Sequence, residues 1–249
     1  MKLLVDFGNT RLKWATFANG AVRAGGVFAH ADVPLEAALL REWSHLGRIS
    51  AAFVASVVGA VREQELAALV RQCFRVDTVF LRSPAFALGI RNAYVEPARL
   101  GIDRFLGLAA LHAERAQPLV LASVGTALTV DALGADGVHH GGLIVASPRL
   151  MRSALYAATA RVAGPEGRWR PMPASTADAV FSGALYAAAG AVERFHRQAQ
   201  RQIGAGATLL LAGGGADELA PLLPEAERAH DIVLRGLALW AAAAPTQPG

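Results

Sequence analysis

Leu3-Leu4-Val5-Asp6-Phe7-Gly8-Asn9-Thr10-Arg11-Leu12-Lys13-Trp14-Ala15-Thr16-Phe17 is the stretch that decides the fold. An apolar run reaches Asp6, breaks at Gly8-Asn9-Thr10 and resumes as alternating apolar and polar residues. Gly and Asn tolerate positive φ and the flanks carry β-type residues, so the pattern predicts strand, tight turn, strand. A buried strand that ends in a carboxylate and runs into such a turn suits a phosphate and a metal. The turn offers N–H groups and a hydroxyl, while Asp6 can hold Mg2+ directly or through water. The same residues also fit an ordinary hairpin whose Asp6 caps its own turn.

Further along, Leu121-Ala122-Ser123-Val124-Gly125-Thr126-Ala127-Leu128-Thr129-Val130-Asp131 repeats the pattern of residues 4–14. Gly125 follows Gly8 by 117 positions (125 − 8), and Ser123 follows Asp6 by the same interval (123 − 6). A third apolar strand, Leu209-Leu210-Leu211-Ala212, ends in Gly213-Gly214-Gly215, a turn whose lack of side chains suits either an approaching adenine or a plain strand–helix connection. This organisation resembles the acetate/sugar kinase, Hsp70 and actin superfamily. It implies an α/β fold of two ribonuclease-H-like domains facing each other across a nucleotide cleft. The break at Ala116-Gln117-Pro118 puts the expected domains at 1–117 and 118–249. A Walker site would need its Gly-rich loop to end in Gly-Lys-Ser/Thr and lead into a helix; no such string occurs.

Bulk composition narrows the classes. Hydrophobic residues make up 53% of the 249 and charged ones 18%, but alanine supplies much of the apolar share. No uninterrupted apolar run approaches the ~18–20 residues of a membrane span. Charge returns too early after Met1 for a signal peptide, so a cytoplasmic protein without membrane attachment is expected. Cys73 is the single cysteine, which excludes an internal disulfide, and its apolar helical surroundings suit a buried inert thiol. A net charge of +4 and a pI of about 9.8 raise the question of nucleic acid. The basic residues are scattered, with no run and no aromatic-interleaved stripe, so none is expected to bind. Of 24 basic residues only Lys2 and Lys13 are lysine, and Lys13 sits three residues beyond the phosphate-type turn.

Taken in order, the chain reads as a third strand at 20–29, a helix at 33–43 with Pro34 in its first turn, and a strand at 49–58. A helix at 60–73, a strand at 74–81 and an irregular stretch at 83–99 follow, then a helix at 104–115. The second half gives strands at 119–124 and 128–133. Gly141-Gly142-Leu143-Ile144 is expected to enter a helix with Ser147 as N-cap and Pro148 at N1. Residues 163–174 read as a loop, and Ser175-Thr176-Ala177-Asp178 as a capping box opening a helix to about Ile203. Strand 207–212, a final helix from about Arg235 and a disordered tail from Pro245 complete the reading.

Phosphoryl transfer needs positioning, charge neutralisation and an acceptor for the attacking hydroxyl's proton. Asp6, the 8–10 turn and Lys13 suit one side of a phosphate, Gly125 and Thr126 the other. Among the carboxylates Asp103 is the best placed for a base, after a glycine and at a helix start, though on the residues alone an N-cap is the plainer role for it. Arg104 beside it can fork onto a substrate carboxylate. Other features take plainer readings: His139-His140 lacks a third ligand at metal spacing, and Ser182-Gly183 lacks the preceding glycine of a nucleophile elbow.

Asp6-Phe7-Gly8-Asn9-Thr10, Asn92-x-Tyr94-x-x-Pro97-x-x-Leu100, Gly101-Ile102-Asp103-Arg104, Gly125-Thr126-Ala127 with Asp131, and Gly141-Gly142 resemble, in order and spacing, the motifs of type III pantothenate kinases. The resemblance implies a homodimer that phosphorylates the 4′-hydroxyl of pantothenate with ATP and Mg2+, the first step of coenzyme A synthesis. It implies Asp103 as catalytic base, and ATP contacts from Asp6, Phe7, Gly8, Asn9, Thr10, Arg11, Leu12, Lys13 and Thr126. Tyr94, Gly101, Ile102, Asp103 and Arg104 match substrate-holding positions, and Thr176 a substrate contact supplied at the dimer interface. Many members carry Asp where this chain has Ser123, and that Asp ligates an activating K+ or NH4+. A neutral hydroxyl is a poorer ligand for a hard cation, so a weakened cation requirement is expected. The competing readings are another kinase or phosphatase of the superfamily, and a non-catalytic ATP-binding regulator.

Overall fold

The 3–17 stretch folds as its pattern dictates. β1 (Lys2–Phe7) and β2 (Arg11–Ala18) pair antiparallel with Asp6 opposite Lys13, in a computed structural model that describes residues 1–30, 35–159 and 167–244. β3 (Ala21–Ala29) continues the meander on β2. After α1 (Leu35–Trp43), β4 (Ala51–Ser56) adds parallel to β1. After α2 (Ala60–Phe74), β5 (Thr78–Leu81) adds parallel to β4, giving the order β3-β2-β1-β4-β5. The strand expected from residue 74 starts at Thr78 because Arg75 caps α2 in the left-handed conformation, φ 59°. A two-residue-per-strand hairpin, β6 (Phe86–Ala87) and β7 (Ile90–Arg91), and a 3-10 turn at Pro97–Arg99 lead into α3 (Ile102–Glu114).

The second unit repeats the plan. β8 (Leu119–Val124), β9 (Ala127–Leu133) and β10 (His139–Ala146) form an antiparallel meander, followed by α4 (Pro148–Ala158) and α5 (Thr176–Ile203). β11 (Thr208–Ala212) then lies parallel to β8, and after α6 (Ala216–Leu219), β12 (Glu227–Arg228) lies parallel to β11. The order β10-β9-β8-β11-β12 is that of the first sheet. The repeat is offset by 117 on the incoming strand and by 116 on the returning one. Phe7 pairs with Leu12, whereas Val124 pairs with Leu128, so the second turn is one residue shorter. Gly141-Gly142-Leu143-Ile144, expected to run into a helix, lie within the third strand of this meander; Ser147 and Pro148 do open α4, the Ser147 hydroxyl accepting from Leu150 N–H.

Period-two alternation sorts the first sheet's side chains. Leu3, Val5, Phe7, Leu12 and Trp14 join Leu39, Trp43, Leu66 and Val70 of α1 and α2 in one core, against which Cys73 packs half-buried. Leu4 and Asp6 lie on the opposite face. That face is covered by α3 and by the last helix, α7 (Ile232–Ala243), which packs on α3, β1, β2 and β4. The expected division at 117/118 is therefore corrected: one unit comprises Met1–Arg115 with Asp231 onward, the other Ala116–His230. The cause is close helix packing. A Cβ on Gly236 would lie 2.3 Å from the Leu106 carbonyl oxygen, so glycine lets α7 seat on α3, where Arg235 pairs with Glu114 and Lys2 donates to the Ala241 carbonyl.

The second core gathers Val120, Ala122, Leu128 and Val130 against Leu185, Ala189 and Val192 of α5. Buried in the same unit, His139 Nε2 lies 2.9 Å from Asp131 Oδ1, which accounts for one histidine of the 139–140 pair structurally. Pro34, residues 163–166 of the expected loop and the tail from 245 fall outside the described residues. No helix among the described residues is long and apolar enough to cross a membrane.

Candidate active site

Asp6 closes β1 on the face shared with α3 and α7, and the first turns of both helices meet it there. Two further carboxylates, Asp103 of α3 and Asp231 at the start of α7, act on Asp6, with Lys13 as the opposing cation. Lys13 Nζ lies 3.4 Å from Asp231 Oδ1, and Asp231 holds the left-handed conformation, φ 48°. Burial, then the charge of Asp103 and more weakly that of Asp231, pushes the Asp6 carboxyl up from 3.8 to about 7, against the pull of Lys13. Such surplus of carboxylate suits a hard divalent cation. No three side chains among the described residues converge as a metal cage, and Mg2+ is commonly held by one or two carboxylates plus substrate phosphates.

The raised value has a consequence for stability. Native Asp6 keeps a proton that the unfolded chain, titrating near 3.8, has already lost, so stability falls as pH rises from about 4 to about 7. In metal-free buffer the melting temperature is expected to drop between about pH 5 and about pH 8, and Asp6→Asn to shrink that drop. Equal drops in both proteins would remove Asp6 as its source.

Asp103 stands in the second position of α3, partly exposed while Ile102 and Arg104 through Leu111 are buried. The helix N-cap is Gly101, which has no side chain to offer. Asp103 Oδ1 instead accepts from the Arg104 N–H at 2.9 Å, which fixes its rotamer. A Cβ on residue 101 would lie 2.5 Å from that oxygen, so glycine here leaves the carboxyl room in this rotamer. Arg104 is 6% exposed; its Nη1 donates to the Tyr94 hydroxyl at 3.0 Å and its guanidinium lies 5.7 Å over the Tyr94 ring. Asn92 shapes the loop beneath Tyr94: its Nδ2 donates to the Pro84 and Pro97 carbonyls, at 3.2 and 3.0 Å, and its Oδ1 accepts from Tyr94 N–H.

The structure thus brings Asp6, Lys13 and Asp103 into one electrostatic cluster and seats Tyr94 against Arg104. Asn9 and Arg11 are exposed and Thr10 half-buried on the turn, where Gly8 N–H donates to the Arg11 carbonyl at 3.0 Å. Phe7, Leu12 and Ile102 are buried in the apolar interior, so any ligand contact from them runs through the backbone. In the second unit Gly125 and Thr126 are exposed at the equivalent turn, Ser123 pairs with Thr129 across β8 and β9, and Gly215 N–H donates to the Val124 carbonyl. Thr176 is exposed as the first residue of α5, whose N-cap is Ser175. Asp231 escaped sequence reasoning: it belongs to no motif and lies 218 positions from the lysine it pairs with.

Comparison with known proteins places the chain. Residues 2–198 match the family model described as type III pantothenate kinase. The chain is 44% identical over 243 residues, 97% of each sequence, to the type III pantothenate kinase of Xanthomonas axonopodis pv. citri. It is 43% identical over 240 residues, 96% of each, to that of Xanthomonas campestris pv. campestris. Among solved structures it is similar in fold to a conserved Baf-family protein of Campylobacter jejuni, with TM-score 0.59, 16% identity and 94% of each chain covered. It is likewise similar to the activator of the 2-hydroxyisocaproyl-CoA dehydratase of Clostridium difficile, solved with ADPNP, with TM-score 0.51, 12% identity and 96% and 93% covered. These neighbours are similar to the chain in fold alone.

Proposed function

The chain belongs to the type III pantothenate kinase family and phosphorylates pantothenate with ATP in coenzyme A biosynthesis, and from that premise we propose which residues carry the reaction. Asp103 is the base. Its carboxylate takes the proton of the pantothenate 4′-hydroxyl as that oxygen bonds to the γ-phosphorus, and the bond from phosphorus to the bridging oxygen of ADP breaks. Residues 6–13 and Thr126 hold ATP, with Lys13 on the phosphates and the backbone of the 8–10 turn as donor. Asp6 holds Mg2+, which supplies charge neutralisation to the phosphoryl group when bound. Arg104 receives the pantothenate carboxylate, steadied by Tyr94. Gly101 and Ile102 shape that pocket through their backbone.

The single observation supporting this reading is the Asp6–Lys13–Asp103–Asp231 cluster. A carboxylate kept in place over a glycine stands within electrostatic reach of a strand-end carboxylate and a turn lysine. A coupled assay with ATP, Mg2+ and pantothenate tests it; no ADP formation dependent on pantothenate would overturn it. We further propose a cytoplasmic homodimer that binds neither nucleic acid nor membrane, in which Thr176 completes the substrate site of the partner.

The monovalent-cation site of the family does not fit these residues well. Ser123 offers a neutral hydroxyl on β8 where a carboxylate would be the natural ligand for K+ or NH4+. Turnover in K+-free buffer is expected to reach a large share of its value at saturating NH4+. Strict activation from a near-zero baseline would show that other oxygens hold the cation.

A further inference from the structure

We propose that His30 is a positioning residue that sets the peptide orientation of the 8–10 turn for the phosphates of ATP, an inference resting on the reading of that turn as an ATP site. His30 is 5% exposed, so its ring must find its partners inside the protein. Nε2 lies 2.8 Å from the Gly8 carbonyl oxygen, and Nδ1 lies 3.0 Å from Arg62 Nη2. A guanidinium can only donate, so Nδ1 accepts and the ring proton sits on Nε2, which donates to Gly8. The backbone N–H of His30 donates to the Thr10 carbonyl at 3.2 Å. Two carbonyls of one turn are therefore held by one residue.

Planarity converts this into ligand geometry. Carbonyl and N–H point opposite ways across a trans peptide, so a Gly8 carbonyl fixed on His30 directs the Asn9 N–H away from His30. Packing makes the anchor stiff: the Phe7 ring meets His30 edge-on at 5.2 Å, and the Arg62 guanidinium lies 5.6 Å over Phe7. Arg62 is itself held by Glu65, whose Oε2 lies 3.3 Å from its Nε.

The duplicated fold supplies an independent observation. His30 is the first residue after β3, and Ser147 the first after β10. They lie 117 positions apart (147 − 30), the interval that separates Gly8 from Gly125. Ser147 Oγ donates to the Thr126 carbonyl at 2.9 Å. In both units, then, the residue leaving the third strand fixes a carbonyl of the glycine turn, with an imidazole in one and a hydroxyl in the other.

The test compares His30→Leu, His30→Gln and Arg62→Met with wild type, reading the KM for ATP and for pantothenate separately, with circular dichroism and melting as the check on folding. Leucine is expected to raise the ATP KM about ten-fold with the pantothenate KM unchanged. Glutamine can donate to Gly8 and accept from Arg62, and should restore most of the loss. An unchanged ATP KM, an equal loss with glutamine, or a loss shared by pantothenate would overturn the inference. Should His30→Leu not fold, Arg62→Met decides: loss of the guanidinium leaves the tautomer unfixed, and the ATP KM should rise about three-fold; no change would overturn it. Lys13→Ala separates the two levels. If it leaves ATP affinity intact, the turn is not the phosphate site; if it weakens ATP while the His30 and Arg62 variants do not, only the role of His30 fails.

Discussion

Asp103→Asn is expected to cut kcat by at least about 10², while ATP and pantothenate bind with near-wild-type affinity. The amide keeps the shape of the carboxyl and its oxygen can still accept from Arg104 N–H, the 2.9 Å bond that sets its rotamer. It loses the capacity to take the hydroxyl proton, a capacity used only in the transition state. Removing one carboxylate also relieves Asp6, whose upward shift owes more to Asp103 than to Asp231. The pH dependence of stability should therefore weaken in this variant as well. Single-turnover kinetics with equilibrium binding of each substrate checks the pair. Near-normal turnover would exclude Asp103 as the base; lost substrate affinity would make it a binding group instead.

The second large effect falls on Arg104. Arg104→Ala is expected to raise the KM for pantothenate roughly 10- to 100-fold, the worth of charged hydrogen bonds withdrawn from a carboxylate, with the KM for ATP little changed. The side chain is buried, and its guanidinium both donates to the Tyr94 hydroxyl and stacks over the ring. Tyr94 thus holds the guanidinium in place from two sides of its own side chain, the hydroxyl and the ring. Arg104→Lys keeps the charge and loses the fork, so it should recover only part of the affinity. Pantothenol, the alcohol analogue of pantothenate, provides the control, since its turnover should respond little to either change. An unchanged pantothenate KM in Arg104→Ala would remove this residue from carboxylate recognition.

Much of this architecture was legible because its punctuation is local. Gly8-Asn9-Thr10 and Gly125-Thr126 break apolar runs where φ freedom and short polar side chains turn a chain, and the interval between them shows the duplication. Ser147-Pro148 and Ser175 mark their helix starts by chemistry that acts within four residues. β10 was not legible. Gly141 and Gly142 weaken its strand character, Leu143 and Ile144 are exposed, and its identity comes from pairing with β9. The allegiance of α7 was hidden for a related reason: an apolar helix does not state which sheet it covers, and only its packing on β1, β2, β4 and α3 does. Motif strings also blur function with packing, since Phe7, Leu12 and Ile102 share their stretches with exposed turn residues yet face the core. Asp231 and His30 acquire meaning only from neighbours distant in sequence.

The return of the last helix to the first unit makes the two halves unequal in how they can fold. Residues 116–230 are contiguous and hold their whole sheet, so that half can close without a segment from elsewhere in the chain. The half begun at Lys2 waits for Ile232–Ala243 to cover its open sheet face and for Asp231 to reach Lys13. The first strands are thus covered only by a segment from beyond the second unit, and the proposed chemistry is assembled only when the two stretches meet.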